Sequence, residues 1–224
     1  MRKLLLSAIL ATTALTVEPA TASLVFDSVG DTTGTVYFNG IVGGNVQPGL
    51  TAQLNLTLTA LNTATGLFTF NYDLFNSSSS PITASRVSGF GFNTTPDAEL
   101  TGHSVTGEFD TVTRNGNVPQ LGTFEICLSD VNCAGGASGG PTIGQHGTGT
   151  LTLNFADGTS SITMDDFYVR YQSITGSSFG DSGSGNDIPP PVIPEPASWM
   201  MMLAGFGALG SVIRRRRSVA VNFA

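Results

Sequence analysis

Apolar and polar residues alternate along much of the chain, and this alternation predicts β-strands. Within 54–60, and again within 68–74, every second residue is apolar and the residues between are polar. Successive side chains of a strand point to opposite faces, so each segment would bury one face and expose the other. Residues 62–66 between the two segments are turn-like. We therefore predict an antiparallel hairpin here.

Shorter alternating segments continue this pattern and predict further strands. The dipeptide Asp157-Gly158 is a tight-turn signal between the last two of them. Many short strands with one apolar face each are typical of a β-sandwich, so we predict an all-β, jelly-roll-like sandwich over 23–175. The further segments are 24–27, 36–39, 86–92, 123–128, 151–155 and 162–171.

Gly, Ser and Pro dominate the chain beyond this domain. Residues 176–187 are a Gly/Ser tract, and Pro189, Pro190 and Pro191 follow it. Gly/Ser segments are flexible, whereas consecutive prolines form a stiff, extended chain. We therefore predict a linker over 176–193 that separates the sandwich from the segment that follows.

The N-terminus has the organisation of a secretory signal peptide. A basic pair precedes an apolar segment at 4–17, and Ala20 and Ala22 place small residues at −3 and −1 ahead of Ser23. These features predict a signal helix within 1–22 that engages the Sec export machinery and is removed by signal peptidase. An uncleaved anchor is the alternative, and the short apolar segment disfavours it.

A second apolar run, 197–213, lies near the C-terminus and is followed by four consecutive arginines. As a helix it would extend about 25 Å, slightly less than the hydrocarbon core of a bilayer, which is roughly 30 Å thick. We predict a transmembrane helix at 197–213, with the arginines kept in the cytoplasm by the positive-inside rule. Residues 218–224 form a short tail.

The residues around this helix resemble the PEP-CTERM sorting signal of Gram-negative, biofilm-forming bacteria, which is also labelled an ice-binding-protein C-terminal domain. The resemblance covers 194–217 and rests on a Pro-Glu-Pro tripeptide, a tryptophan, a glycine-containing apolar helix and an arginine cluster, in that order. It implies recognition by an exosortase, a membrane-embedded cysteine transpeptidase that cuts near the tripeptide. The residues to which this role carries over are Pro194, Glu195, Pro196, Trp199, Arg214, Arg215, Arg216 and Arg217.

A permanent single-span anchor without cleavage is the alternative interpretation of this segment. A plain anchor has no need of Pro-Glu-Pro at its outer edge, however. The two prolines keep the chain extended and present Glu195 as an accessible substrate at the membrane surface. We therefore expect export, an inner-membrane-anchored precursor, and then a cell-surface or extracellular location in a Gram-negative bacterium.

Charge is distributed unevenly along the chain. The whole sequence carries a formal charge of −7, but between 23 and 193 three arginines oppose 14 acidic residues, which gives −11. Such a strongly acidic region repels nucleic acid and anionic lipid. We expect no nucleic-acid partner.

Both cysteines, Cys127 and Cys133, lie in the region predicted to be exported. In an oxidising compartment we expect them to form a disulfide, which would contribute about 2–3 kcal/mol to stability. A zinc site that also uses His103 and His146 is formally open, but the spacing is not that of a zinc finger. We predict no metal and no cofactor.

The sequence gives only weak indications of catalytic or calcium-binding residues. A Gly-rich segment around Ser138 superficially resembles the nucleophile loop of chymotrypsin-like proteases, with His103 and Asp110 upstream, but it arises easily in a chain with 28 glycines. Asp165 and Asp166 could contribute to a calcium site, but a solvated turn is the favoured interpretation, since no Asp-x-Asp-x-Asp loop supports calcium. We predict no catalytic residues.

These observations together predict a non-enzymatic surface or extracellular-matrix protein with a structural or adhesive β-sandwich. A carbohydrate-binding module is one alternative, with exopolysaccharide as the candidate partner. A polysaccharide-active enzyme is another, and it would need two carboxylates paired across a cleft. The 14 acidic residues between 23 and 193 permit such a pair without indicating one.

Overall fold

The computed structural model describes residues 23–99, 101–136, 139–189 and 206. Within these residues the chain forms 13 strands, all in the compact unit Met1–Pro190. Phe206 is the described residue of the second unit, Pro191–Ala224, and it is helical. The strands are β1 (Leu24–Phe26), β2 (Val36–Phe38), β3 (Ile41–Val42), β4 (Asn45–Val46), β5 (Ala52–Asn62), β6 (Leu67–Phe75), β7 (Ala84–Thr95), β8 (Ser104–Gly107), β9 (Thr111–Val118), β10 (Gly122–Ser129), β11 (His146–Asn154), β12 (Ile162–Thr175) and β13 (Gly183–Ile188).

The predicted hairpin at 54–74 is confirmed. β5 and β6 pair in antiparallel orientation, with Leu56 opposite Tyr72 and Asn62 opposite Leu67. The apolar residues at 54, 56, 58, 68, 70, 72 and 74 are buried, while the polar residues between them are at least partly exposed. Ala60, which the alternation placed on the same apolar face, is exposed, because the register of the pairing shifts directly before it. The alternation of the sequence therefore specified both the strands and the face that each one buries.

The strands hydrogen-bond into one continuous sheet in the order β8-β11-β6-β5-β2-β13-β12-β7-β10-β9. β1 pairs with β12, and β3 pairs with β13 and β4. β13 joins the two halves, since its first residues pair with β12 and its last two pair with β2. The all-β prediction is confirmed, and the two layers of the predicted sandwich are parts of a single, nearly closed, barrel-like sheet.

Aromatic side chains from the two halves pack against each other in the interior. The rings of Phe26 and Phe70 lie edge to face with centroids 5.1 Å apart, and those of Tyr72 and Phe90 lie 5.4 Å apart. All four residues are almost completely buried. Because β6 comes from one half of the sheet and β1 and β7 from the other, these contacts hold the halves together.

The structure corrects the predicted linker at 176–193, because β13 lies within it. Gly185 is opposite Val169 on β12, and Asp187 is opposite Phe38 on β2. A Cβ atom at Gly185 would collide with the carbonyl oxygen of Asn39, so glycine is required for this close approach. The Gly/Ser composition that predicted flexibility thus permits tight strand packing instead.

The turn predicted at Asp157-Gly158 is present, and Gly158 has a positive φ of 87°. It does not connect the two strands of a hairpin, however. β11 pairs with β6 and β8, whereas β12 pairs with β7, β1 and β13. The turn therefore carries the chain from one half of the sheet to the other.

Several predicted segments lie outside the described residues. These are the signal peptide at 1–22, the sorting signal at 194–217 with its apolar run except for Phe206, and the tail at 218–224. Among the residues that the structure does describe, we find no helix with the length and apolar character needed to cross a bilayer.

Candidate functional site

Most residues of the predicted sorting and cleavage sites lie outside the described residues. These are Ala20 and Ala22 at the signal-peptide site, and Pro194, Glu195, Pro196, Trp199 and the arginines at 214–217. Ser23, on the other side of the predicted cleavage bond, is described. It is exposed and directly precedes β1.

Cys127 and Cys133 are paired in the structure, with their Cα atoms 5.8 Å apart. Cys127 lies on β10, and Cys133 lies in the loop that follows it. Both are buried in a small apolar cluster outside the main core. The other members of this cluster are Val118, Phe124 and Tyr168, with Leu121 packed against it.

Tyr168 belongs to the same buried cluster as the disulfide. Its ring lies 4.2 Å from that of Phe124, centroid to centroid, and is completely buried. Its hydroxyl has no hydrogen-bond partner among the described residues. Burial raises the pKa of this hydroxyl far above its ordinary value, so it is a neutral packing residue.

Arg170 connects the disulfide loop to β13. Its Nε donates to the carbonyl oxygen of Ala134 at 2.7 Å, and one terminal nitrogen donates to the carbonyl oxygen of Gly183 at 2.6 Å. The same nitrogen lies 3.4 Å from the hydroxyl oxygen of Ser184. The side chain is only 6% exposed, and burial lowers its pKa. Nothing in the local sequence indicated this role.

The two histidines and two cysteines of the formally open zinc site do not form a metal-binding group. His103 contacts the backbone carbonyl of Glu99, while His146 bonds to Asp73. Across 23–99, 101–136 and 139–189, no three His, Cys, Asp or Glu side chains converge on a point that could hold a metal ion.

The carboxylates near the calcium candidates serve the fold. Asp166 accepts a hydrogen bond from Asn93 at 3.0 Å. Glu125 forms an ion pair with Arg114 at 2.8 Å and also accepts hydrogen bonds from backbone and side-chain groups of Thr94 and from the backbone of Ala98. Asp165 is different, since desolvation and then repulsion from Asp166, Asp187 and Glu125 raise its pKa.

The protease-like candidates also have other partners. His103 contacts Glu99, as above, and the carboxylate of Asp110 accepts a hydrogen bond from the Thr111 hydroxyl at 2.8 Å. Ser138 lies outside the described residues. His103 also accepts a hydrogen bond from the backbone nitrogen of Asn154 on β11 at 3.3 Å, so both described candidates have hydrogen-bond partners other than each other.

The outer surface of β5, β6, β11 and β8 is an array of hydroxyl and amide side chains, which we call the polar face. Its residues alternate with buried apolar residues of the same strands, and strand register aligns them in rows. Some neighbours bond to each other, as in the 3.3 Å contact from the Thr150 hydroxyl to Asn71. The rows are Asn55, Asp73 and Thr148; then Thr57, Asn71, Thr150 and Thr106; then Thr69, Thr152 and Ser104.

An aromatic residue adjoins one end of the polar face. Phe75 occupies an outward position of β6, where the alternation predicts a polar residue. Its ring stacks on that of His146, with centroids 4.5 Å apart and planes 23° apart. His146 also bonds to Asp73 at 2.7 Å, and the side chains of His146 and Asp73 are 55% and 42% exposed.

Comparison with known families identifies one segment. Residues 192–217 match the family model described as the PEP-CTERM protein-sorting motif. This confirms the resemblance found at 194–217. No curated protein and no solved structure matches the chain. The motif implies export, a membrane-anchored precursor and an exosortase as the processing partner.

Proposed function

We propose that this PEP-CTERM-tagged chain is a cell-surface or extracellular-matrix protein of a Gram-negative bacterium, with a non-enzymatic structural or adhesive β domain. In this proposal an exosortase cuts the precursor at or near Pro194, Glu195 and Pro196. The observation that carries it is the match of residues 192–217 to the sorting motif. The order of the predicted segments agrees with it, since the predicted signal peptide at 1–22 precedes the β domain, and the apolar run with its arginines follows the domain.

The contacts of the β domain support a structural or adhesive role. Its two halves share one aromatic core, and its outer loop is fastened by the disulfide and by Arg170. Both carboxylate oxygens of Glu125 already have partners, through one ion pair and three further hydrogen bonds. Glu125 is therefore poorly suited to proton transfer. A rigid domain of this kind suits a protein that is displayed outside the cell.

The extent of β13 places the sorting motif close to the folded domain along the chain. β13 ends at Ile188, so residues 189–193 alone separate it from Pro194. Five residues reach at most about 18 Å even when fully extended. The proposed exosortase must therefore cut close to a folded strand, rather than at the end of a long flexible linker.

The proposal is tested by producing the chain in a host with a functional exosortase and in the same host after deletion of that gene. Intact-mass measurement should show a trimmed chain that ends near Pro194–Pro196 in the first host and a chain extending through Ala224 in the second. Identical masses in the two hosts would mean that the segment is a plain anchor.

A further inference from the structure

We propose that the polar face of β5, β6, β11 and β8 binds a neutral polysaccharide, with the stacked pair Phe75 and His146 as its aromatic end. This inference rests on the proposed function, because it names the partner through which a displayed β domain would adhere. It concerns a different part of the chain from the sorting motif, so the two can fail separately.

The spacing of the polar face suits a repeating ligand. Neighbouring strands of a sheet lie about 4.8 Å apart, and alternate residues of one strand lie about 6.8 Å apart. The row of Thr57, Asn71, Thr150 and Thr106 crosses all four strands. A chain laid along such a row meets a hydroxyl or amide group at every strand.

The chemistry of these rows suits sugar hydroxyl groups. Threonine hydroxyls and asparagine amides can each donate and accept hydrogen bonds, as sugar hydroxyls also do. The rows contain no Lys, Arg or Glu, and their single carboxylate, Asp73, already bonds to His146 at 2.7 Å. Asp73 therefore has its own partner, and the other side chains of the rows carry no charge that would form a competing ion pair.

Charge selects a neutral ligand over an acidic one. Residues 23–193 carry three arginines against 14 acidic residues, and the rows themselves add no cation. An acidic polysaccharide would be repelled by this field at low ionic strength. A neutral polysaccharide meets no such barrier.

Phe75 and His146 supply the apolar contact that hydroxyl-rich rows lack. Binding sites for small ligands combine aromatic surface with a few placed polar groups. Phe75 is half-buried, with its ring stacked on His146 at 4.5 Å, and the exposed His146 bonds to Asp73. An aromatic surface is thus held in place beside hydrogen-bonding groups at the end of the polar face.

A protein partner fits this face less well. Energetically dominant residues of protein interfaces are mostly Trp, Tyr and Arg in desolvated pockets. The three rows contain none of these residues and form a partly to fully exposed surface of hydroxyl and amide groups with one carboxylate. The proposal therefore commits to a polysaccharide.

The test is affinity electrophoresis of the full-length chain, solubilised in mild detergent, through native gels that contain dextran, hydroxyethyl cellulose or alginate. We expect retardation in at least one neutral gel and none in alginate. A triple variant, Thr57→Val, Thr106→Val and Thr150→Val, keeps the side-chain volume and favours strands, but removes the hydroxyls. Each lost hydrogen bond should weaken retention about fivefold. Phe75→Ser should also reduce it.

Thr123→Val is the matched control, because Thr123 is an exposed strand residue of β10, outside the polar face. It should be retained like the wild type. Migration of the wild type without retardation in both neutral gels, stronger retention in alginate, or equal retention of the triple variant would each overturn the proposal. Exosortase trimming, measured by mass on the same variants, should be unchanged. Loss of trimming in the wild type would count against the sorting function and not against this binding face.

Discussion

The guanidinium of Arg170 donates a 2.7 Å hydrogen bond to the backbone carbonyl oxygen of Ala134. Ala134 directly follows Cys133, so this bond fixes the disulfide loop against β12. Because Arg170 also donates to Gly183 of β13, a single side chain connects the loop to the strand that joins the two halves of the sheet.

Replacing Arg170 should destabilise the domain strongly. Arg170→Met would remove the charged donor from the carbonyl oxygen of the exposed Ala134 and from that of the buried Gly183, which costs about 3 kcal/mol in all. For a domain of this size that lowers Tm by about 10 °C. Arg170→Lys keeps the positive charge but replaces the several donors of the guanidinium with a single ammonium group. Its Tm in thermal unfolding should therefore lie between those of Arg170→Met and the wild type. A Met variant as stable as the wild type would contradict this role.

The disulfide between Cys127 and Cys133 should be present in exported protein. Thiol labelling of periplasmic material without reductant should give no signal, and labelling after reduction should modify both residues. The closed loop is short, so its removal by Cys133→Ser should cost about 2 kcal/mol from chain entropy, in addition to lost packing. Complete labelling of both thiols before reduction would show that the pair is reduced.

The tripeptide and the arginines of the sorting motif should fail in different ways when changed. Glu195→Ala should leave an inserted precursor uncut, because the cleavage substrate is altered. Replacing the arginines at 214–217 with Asn should remove the positive charge that holds the C-terminus in the cytoplasm, so the segment should mislocalise. Fractionation followed by immunoblotting separates the two outcomes. Trimming of both variants as in the wild type would favour a plain anchor.

The short spacer after β13 should limit processing. Deleting residues 190–193 brings Pro194 within one residue of the end of the described fold, so the exosortase would need to unpair β13, and precursor should accumulate. Inserting ten Gly/Ser residues after Pro189 should leave trimming intact, because it only lengthens the reach. Pulse-chase measurement of the precursor-to-product ratio compares the deletion variant with the insertion variant. Normal trimming of the deletion variant would show that the fold does not restrict access.

Asp165→Asn should stabilise the domain near neutral pH. Folding raises the pKa of Asp165, through desolvation and repulsion by Asp166, Asp187 and Glu125. Its charged form therefore costs stability, and this cost appears as pH rises from the unfolded-state pKa through the raised folded-state pKa. The variant should have a higher Tm at pH 7, and the difference should vanish below about pH 3, where the carboxyl is protonated in both states.

Asp157→Asn is a suitable control for that experiment, because it removes the same charge from an exposed turn. Its Tm should follow the wild type across the pH range. If Asp165→Asn lowered Tm at pH 7, the carboxylate would have a favourable role that outweighs its repulsion.

Local sequence alone determined the strand class, the buried faces and the sorting motif. The alternation in 54–60 and 68–74 specified a hairpin, since a turn of a few residues leaves only one convenient pairing. The motif at 192–217 was recognisable because its function depends on a contiguous peptide, an apolar run and a charge cluster. Each of these signals lies within a short stretch of chain.

Tertiary structure decided the features that depend on distant residues. The Gly/Ser composition of β13 predicted a flexible linker and not a strand. Glycine is needed at 185 because the backbone of Asn39 lies too close for a side chain, and only the folded structure brings Asn39 there. The sequence showed Arg170 only as one of three basic residues in an acidic region. Its hydrogen bonds to Ala134 and Gly183 depend on the folded positions of those residues. Phe75 and His146 are brought together by the pairing of β6 with β11. Which strands pair over such separations is determined by the packing of the whole core, and no local pattern encodes it.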